Sequence, residues 1–270
     1  AFWQVINNQL MLGPKKVADV ADEHGTPLYA YDLSIAESKL DRLRTALPAE
    51  IGIHYAIKAN PHPAVIEMFG QSGCGFDVAS AGELKTAIRS GVDPGVIGFA
   101  GPGKRTEEIR LACREGIGSL NVESEQELFL ADRIAQGEGK KLRICLRINP
   151  GFDLQGSGMR MGGGPKQFGI DQEQAAAILQ RFREWPNLDF TGFHIFAGSQ
   201  NLKSDSITQA LAGALDIVDG FLPDCPCRPQ FVNIGGGLGI PYFFADEELD
   251  IVSVGTGLKQ IITQKFDHLK

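Results

Sequence analysis

The sequence predicts an α/β fold, a TIM (β/α)8-type barrel of which seven βα units are present in the chain. Three observations carry this. Short runs rich in Val, Ile, Leu and Phe alternate almost without interruption with helical patterns. Glycine or polar punctuation follows nearly every strand, as expected when the loops converge on one mouth. No linker or low-complexity tract divides the chain. A doubly wound open sheet is the competing topology.

The elements follow in order. "TPLYAYD" (26–32) reads as a strand, and "SIAESKLDRLRTAL" (34–47) as a helix opened by a Ser34/Glu37 capping box. The barrel count starts at "IGIHYAI" (51–57), followed by the helix "PAVIEMFGQSG" (63–73). "GFDVA" (75–79) precedes a helix with a second box, Ser80 and Glu83, that stops at Gly91. The rhythm repeats with "GVIGFA" and "RTEEIRLACREG", then "IGSLNV" and "SEQELFLADRIAQG". "KLRICLRI" precedes a long glycine-rich loop and the helix 171–185. "LDFTGFHIF" leads to the helix 204–222, and "PQFVNI" to a helix predicted over 245–266. Residues 1–33 are assigned to an N-terminal segment and 34–270 to the barrel. An eighth strand is not found before Lys270, and the chain begins at Ala1 without Met, so it is expected to be part of a longer protein.

The composition narrows the function. With 26 basic and 33 acidic residues the net charge is −7, which argues against nucleic acid as a partner. No stretch approaches the roughly 18 apolar residues of a membrane span, and no signal-like start is seen. Five scattered cysteines suit a reducing cytoplasm. Cys225 and Cys227 stand too close for a CxxC pair and lack a histidine cluster, so they read as a loop feature and no metal site is expected.

Five stretches could carry chemistry. "GFAGPGKR" (98–105) imitates a phosphate loop up to Lys104, but Arg105 replaces the Ser/Thr that holds Mg²⁺ and Pro102 removes an N–H. "GSGMRMGGGPKQFG" (156–169) reads as an active-site cover or as plain flexible loop. In "GFHIFAGSQ", His194 and Phe196 share one strand face and Ser199 lies in the loop beyond; a lone strand histidine is often only a satisfied core residue. Gly235 to Gly237 form a turn whose N–H groups can approach an anion, and the third dinucleotide-fingerprint position is Ile240, which excludes that motif. Lys58 ends a core strand at "HYAIKANPHP". Partly desolvated there, it would be a nucleophilic amine able to form a Schiff base. Lysine and glycine turn together describe the two anchors of pyridoxal 5'-phosphate, an aldehyde and a phosphate.

With "YAIKAN", "GFDVASAGEL", "LRINPG", "GSQ" and "GGG" in this order, about four-fifths of the chain resembles the barrel domain of the fold-type III pyridoxal-phosphate decarboxylases. These are the diaminopimelate/ornithine decarboxylase family, related to alanine racemase. The segment 156–170 is similar to a subgroup tied to exopolysaccharide or carrier-protein pathways. The resemblance implies that Lys58 bonds the cofactor aldehyde, that Ser199 and Gly235, Gly236 and Gly237 hold the phosphate, and that Arg147 lies beside the phenolic oxygen. It places Asp77 and Glu83 around the site, His194 as a catalytic and cofactor-contacting residue, and Phe196 on the cofactor ring. It implies an amino-acid substrate, diaminopimelate by default with a carrier-bound or otherwise modified acidic amino acid as the alternative, and a homodimer whose N-terminal segment pairs with a C-terminal β domain.

Three departures from that pattern stand out. Phe196 occupies the place of the second histidine of His-x-His, so an aromatic ring can stack but has no proton to give. The Glu-x-Gly-Arg segment and the C-terminal β domain lie outside the chain. An amino-acid racemase is a rival, disfavoured by the lack of Tyr-Gly after "KAN". A non-catalytic, cofactor-binding or regulatory homologue is another.

Overall fold

The computed structural model describes residues 4–151, 159–160 and 167–266, which fall into two compact units, 1–45 and 46–270. In the first unit, β1 (Gln4–Ile6), β2 (Gln9–Leu12) and β3 (Lys15–Lys16) form an antiparallel meander. The helices α1 (Val17–His24) and α2 (Leu33–Ala46) come next. The predicted strand 26–32 is not one: these residues join no sheet, because an extended run becomes a strand only beside an edge that pairs with it. The box at Ser34 is also displaced. Asp32 Oδ1 accepts from Ser34 N (3.0 Å) and Ser34 Oγ (2.6 Å), so this carboxylate caps α2 two residues earlier. The meander and α1 were not foreseen.

The second unit has the predicted alternation. Its strands are β4 (His54–Ala56), β5 (Gly75–Val78), β6 (Ile97–Phe99), β7 (Ser119–Val122) and β8 (Leu142–Asn149). They continue with β9 (Met159–Arg160), β10 (Ile170–Asp171), β11 (Leu188–Ile195), β12 (Gly198–Ser199) and β13 (Phe231–Asn233). Seven of them run parallel in the order β13-β11-β8-β7-β6-β5-β4, curled with β4 and β13 as its two ends, and β10 adds to β8. The seven units counted in the sequence are therefore present. The helices between and after them are α3 (Pro63–Gln71), α4 (Ala81–Arg89), α5 (Thr106–Glu115), α6 (Glu125–Glu138), α7 (Gln172–Gln180), α8 (Ser204–Phe221) and α9 (Ile251–Phe266). The last begins six residues later than predicted, because Asp250 Oδ1 accepts from Val252 N and Ser253 N (both 3.1 Å) and fixes the start there.

Alternation along each strand divides the sheet into two faces. The outer face carries Phe76, Val78, Ile97, Phe99, Leu120, Val122, Ile144, Leu146, Phe193 and Ile195, packed with helix residues such as Leu84, Ile109 and Leu128 into one core. The inner face is small and polar instead. Register aligns His54 with Gly75, Asp77 with Gly98, Gly98 with Ser119, Asn121 with Cys145, and Arg147 with His194. A TIM barrel of the ordinary kind fills that interior with branched aliphatic side chains. Here the interior is chemistry-bearing.

Candidate active site

Lys58 sits in a single turn of 3-10 helix, Ile57–Ala59, directly beyond the C-terminal end of β4. Ile57 is fully buried and pins the turn, while Lys58 is exposed. The expected partial burial is thus not observed. The Asn-Pro pair shapes the passage from this turn into the next helix. Tyr55 Oη donates to Asn60 O (3.1 Å), His62 N donates to Asn60 Oδ1 (3.0 Å), and Pro63 opens α3.

The two loops predicted to share a phosphate are stitched together at the same strand end. Asn201 N donates to Gly237 O (2.9 Å), and Gly239 N donates to Asn201 O (2.8 Å). The Gln200 amide clamps Ile240, donating through Nε2 to its carbonyl and accepting its N–H at 3.2 Å. Gln200 holds a left-handed φ of 56° to do so, a conformation that needs such support in a non-glycine residue. Gly235 has φ 74°, and a Cβ there would lie 2.6 Å from the Phe196 ring and 3.0 Å from Ile195 O. Phe196 and the glycine turn are therefore in direct contact, and only glycine fits. Beside it Gly236 faces open space.

Deeper in, Arg147 is buried and donates through Nη1 to Glu123 Oε1 (2.8 Å), with the Phe168 ring 4.8 Å from its Cζ. His194, its register neighbour, is buried with Nδ1 unpartnered among the described residues. Burial first, and the positive charge of Arg147 second, push its pKa down to about 3, so the ring is neutral at physiological pH. A neutral ring can give or take a hydrogen bond but carries no charge. Asp77 Oδ1 lies 3.5 Å from His54 Nδ1 and raises the His54 pKa, chiefly through that contact. Glu83 forms half of the predicted box: its N–H donates to Ser80 Oγ (3.2 Å), but its Oε2 accepts from Ala79 N (2.8 Å) rather than from the Ser80 N–H. It braces the loop after β5, as a cap does.

Sequence reasoning missed Glu123, Gln200 and Asn201, and it dismissed Lys104 only as a failed motif. Lys104 is buried and gives its three ammonium hydrogens to Gly101 O (2.7 Å), Asn121 O (2.8 Å) and Glu127 Oε1 (2.8 Å). Its three donor positions are thus taken up by groups of the protein itself. A readable signal for Glu123 existed: Ser119, Asn121 and Glu123 alternate with Leu120 and Val122, a polar period of two inside a buried strand. The predicted cover 156–169 lies outside the described residues except for 159–160 and 167–169. A cavity of about 850 Å³ opens at the opposite, N-terminal end of the strands, lined by His54, Ser119 and Thr191 among others, and none of the predicted site residues borders it.

Residues 33–270 match the pyridoxal binding domain of the pyridoxal-dependent decarboxylases. The chain belongs to this decarboxylase family. It is 34% identical over 242 residues to an L-glutamyl-[BtrI acyl-carrier protein] decarboxylase of Niallia circulans, covering 90% of this chain and 56% of that protein. It is 33% identical over 247 residues to the diaminopimelate decarboxylase of Aquifex aeolicus, covering 90% and 57%. Among solved structures, diaminopimelate decarboxylase from M. jannaschii superposes with a TM-score of 0.89 at 26% identity, over 98% of this chain and 63% of that one. The chain thus spans a little over half the length of the curated relatives it matches.

The decarboxylase family's cofactor, pyridoxal phosphate, fits the residues present. A glycine turn and a serine loop, joined by four hydrogen bonds and open at Gly236, suit a phosphate. Phe196 offers a ring against that turn, and His194 an unpartnered buried nitrogen on the inner face.

Proposed function

We propose that the complete protein is a pyridoxal-phosphate-dependent decarboxylase acting on the α-carboxylate of an amino acid, and that its substrate is carried on an acyl-carrier protein. The observation that carries the reading is the joining of the Ser199 and Gly235–Gly237 loops at the strand end where Lys58 also stands. In this reading Lys58 is the amine that takes the cofactor aldehyde and yields it to a substrate amine. Ser199 and the N–H groups of Gly235, Gly236 and Gly237 bind the phosphate, and Phe196 stacks on the ring. Arg147 donates to the ring oxygen from the inner face. Asp77 supplies a negative charge beside His54, and Glu83 holds the loop that carries Asp77's strand end in place. His194 is a neutral hydrogen-bond partner. When bound, pyridoxal phosphate supplies an electron sink for the pair left as CO₂ departs.

The carrier-linked substrate is supported by the Niallia circulans relative, whose name states such a substrate. A cytoplasmic setting is supported by five free cysteines, three of them buried, and no described helix is long and apolar enough to cross a membrane. A homodimer, and pairing of residues 1–33 with a further β domain, complete the proposal. The exposed Val5, Ile6, Leu10, Tyr29 and Tyr31 of the first unit support that pairing.

The test uses full-length protein with pyridoxal phosphate. A visible band that borohydride abolishes and that Lys58→Ala lacks is expected, followed by CO₂ release faster from a carrier-linked amino acid than from the free one. A band that survives in Lys58→Ala defeats the assignment; equal rates on both substrates defeat the carrier preference alone.

A further inference from the structure

We infer that Glu123 is a positioning residue for this reaction, which aims and neutralises the Arg147 guanidinium from inside the barrel. The inference rests on the function proposed above.

Glu123 stands just past the C-terminal end of β7 and is 6% exposed. Its two oxygens gather donors from three other segments of the mouth. Oε1 accepts from Arg147 Nη1 (2.8 Å) and Gly101 N (2.5 Å), and Oε2 accepts from Gly169 N (3.2 Å). Its own N–H donates to Glu127 Oε2 (2.8 Å), and Glu127 Oε1 is paired with Lys104. Lys104 in turn holds Gly101 O and Asn121 O, so the loop that presents Gly101 N to Glu123 cannot drift. Two cations and two carboxylates are thus linked in one chain, Lys104–Glu127–Glu123–Arg147, of which Glu123 and Arg147 are buried.

Stability alone is a weak reason for such a chain, because well-packed apolar residues of similar volume often do as well or better. What it does supply is direction. Glu123 takes the guanidinium through Nη1 only, and the Phe168 ring lies over Cζ at 4.8 Å, so the remaining N–H groups of Arg147 are held in a fixed plane. Arg147 shares its register position with His194 on the inner face, the face Asp77 also occupies. A carboxylate that both orients this arginine and cancels its charge sets how strongly it polarises an oxygen of the bound cofactor ring.

The experiment compares wild-type full-length protein with Glu123→Gln, which keeps the shape and an acceptor but drops the charge. Three quantities are read: cofactor Kd by titration of the apoprotein, the pH midpoint of the visible cofactor band, and kcat separately from KM. In Glu123→Gln the Kd is expected to rise about five- to tenfold, and the midpoint to fall by about one pH unit because Arg147 is no longer neutralised. kcat should drop more than KM changes. All three effects should vanish in an Arg147→Met background, where there is nothing left to aim. Normal cofactor uptake with an unmoved midpoint, or a displacement that persists without Arg147, overturns the inference. A wild-type protein with no visible band would instead remove the proposed function itself. If Glu123→Gln does not fold, Glu123→Asp keeps the charge but retracts it. It should weaken cofactor binding with the midpoint near the wild-type value, and unchanged affinity there also overturns the inference.

Discussion

The two faces of one sheet, a few ångströms apart, obey opposite rules. The outer face is continuous hydrocarbon: Phe76, Phe99, Leu120, Ile144 and Phe193 are fully buried under the helices. The inner face is a run of Asp77, Ser119, Asn121, Cys145, Arg147 and His194, set between glycines. Gly98 shows how that is possible, since a Cβ there would stand 3.0 Å from Asp77 Oδ1 and within 3.6 Å of Ser119 and Asn121 side chains. Removing bulk on one face lets polar groups meet, while adding bulk on the other holds the sheet. Stability therefore belongs to the outer face, and chemistry to the inner face and the loops at its C-terminal end.

That division can be broken from either side. The largest effect should come from Lys58→Ala: decarboxylation by the complete protein falls by on the order of 10⁴ or more, while the unfolding free energy from urea titration stays within about 0.5 kcal/mol of wild type. A comparable loss of stability would mean that this lysine is structural. Next, Phe99→Ala on the outer face should cost about 3–5 kcal/mol in denaturant unfolding, with cofactor Kd unchanged in the folded fraction. Gly235→Ala combines a left-handed backbone with a collision against Phe196, and should cost about 2–3 kcal/mol and weaken cofactor binding at least about tenfold.

The smallest effect sharpens the comparison through pH. His194 has a folded pKa of about 3, below the ordinary histidine value near 6.5 in the unfolded chain. The unfolded state therefore binds the extra proton first, and stability falls as pH drops from about 6.5 toward 3. At pH 5 this histidine should account for about 2 kcal/mol of the loss. In His194→Gln the stability difference between pH 7 and pH 5 should shrink by that amount, as read from urea midpoints. An unchanged pH slope would mean that the inner face is wetter than its burial indicates.

Much of this was legible in the residues. The seven strand–helix repeats follow from local periodicity, and Ser80 caps α4 where its spacing puts it. The glycine turn and the Ser199 loop were found as separate motifs, each by its own residue types. Their joining through Asn201 and Gln200 was not, since those contacts cross about 40 positions of sequence. The extended residues 26–32 misled because strand propensity does not name a partner. Lys104 misled in the other direction, a lysine in a glycine loop that tertiary structure turns inward onto Glu127.

By itself, then, the sequence determined the alternation of elements, the apolar outer face and the residue types available at each strand end, because periods of two and 3.6 are properties of neighbouring residues. Only the tertiary structure decided which of those residues meet. Parallel register carried Arg147 beside His194, and chain crossing brought Glu123 to Arg147. Charges pair through space rather than along the chain, and burial makes that pairing obligatory.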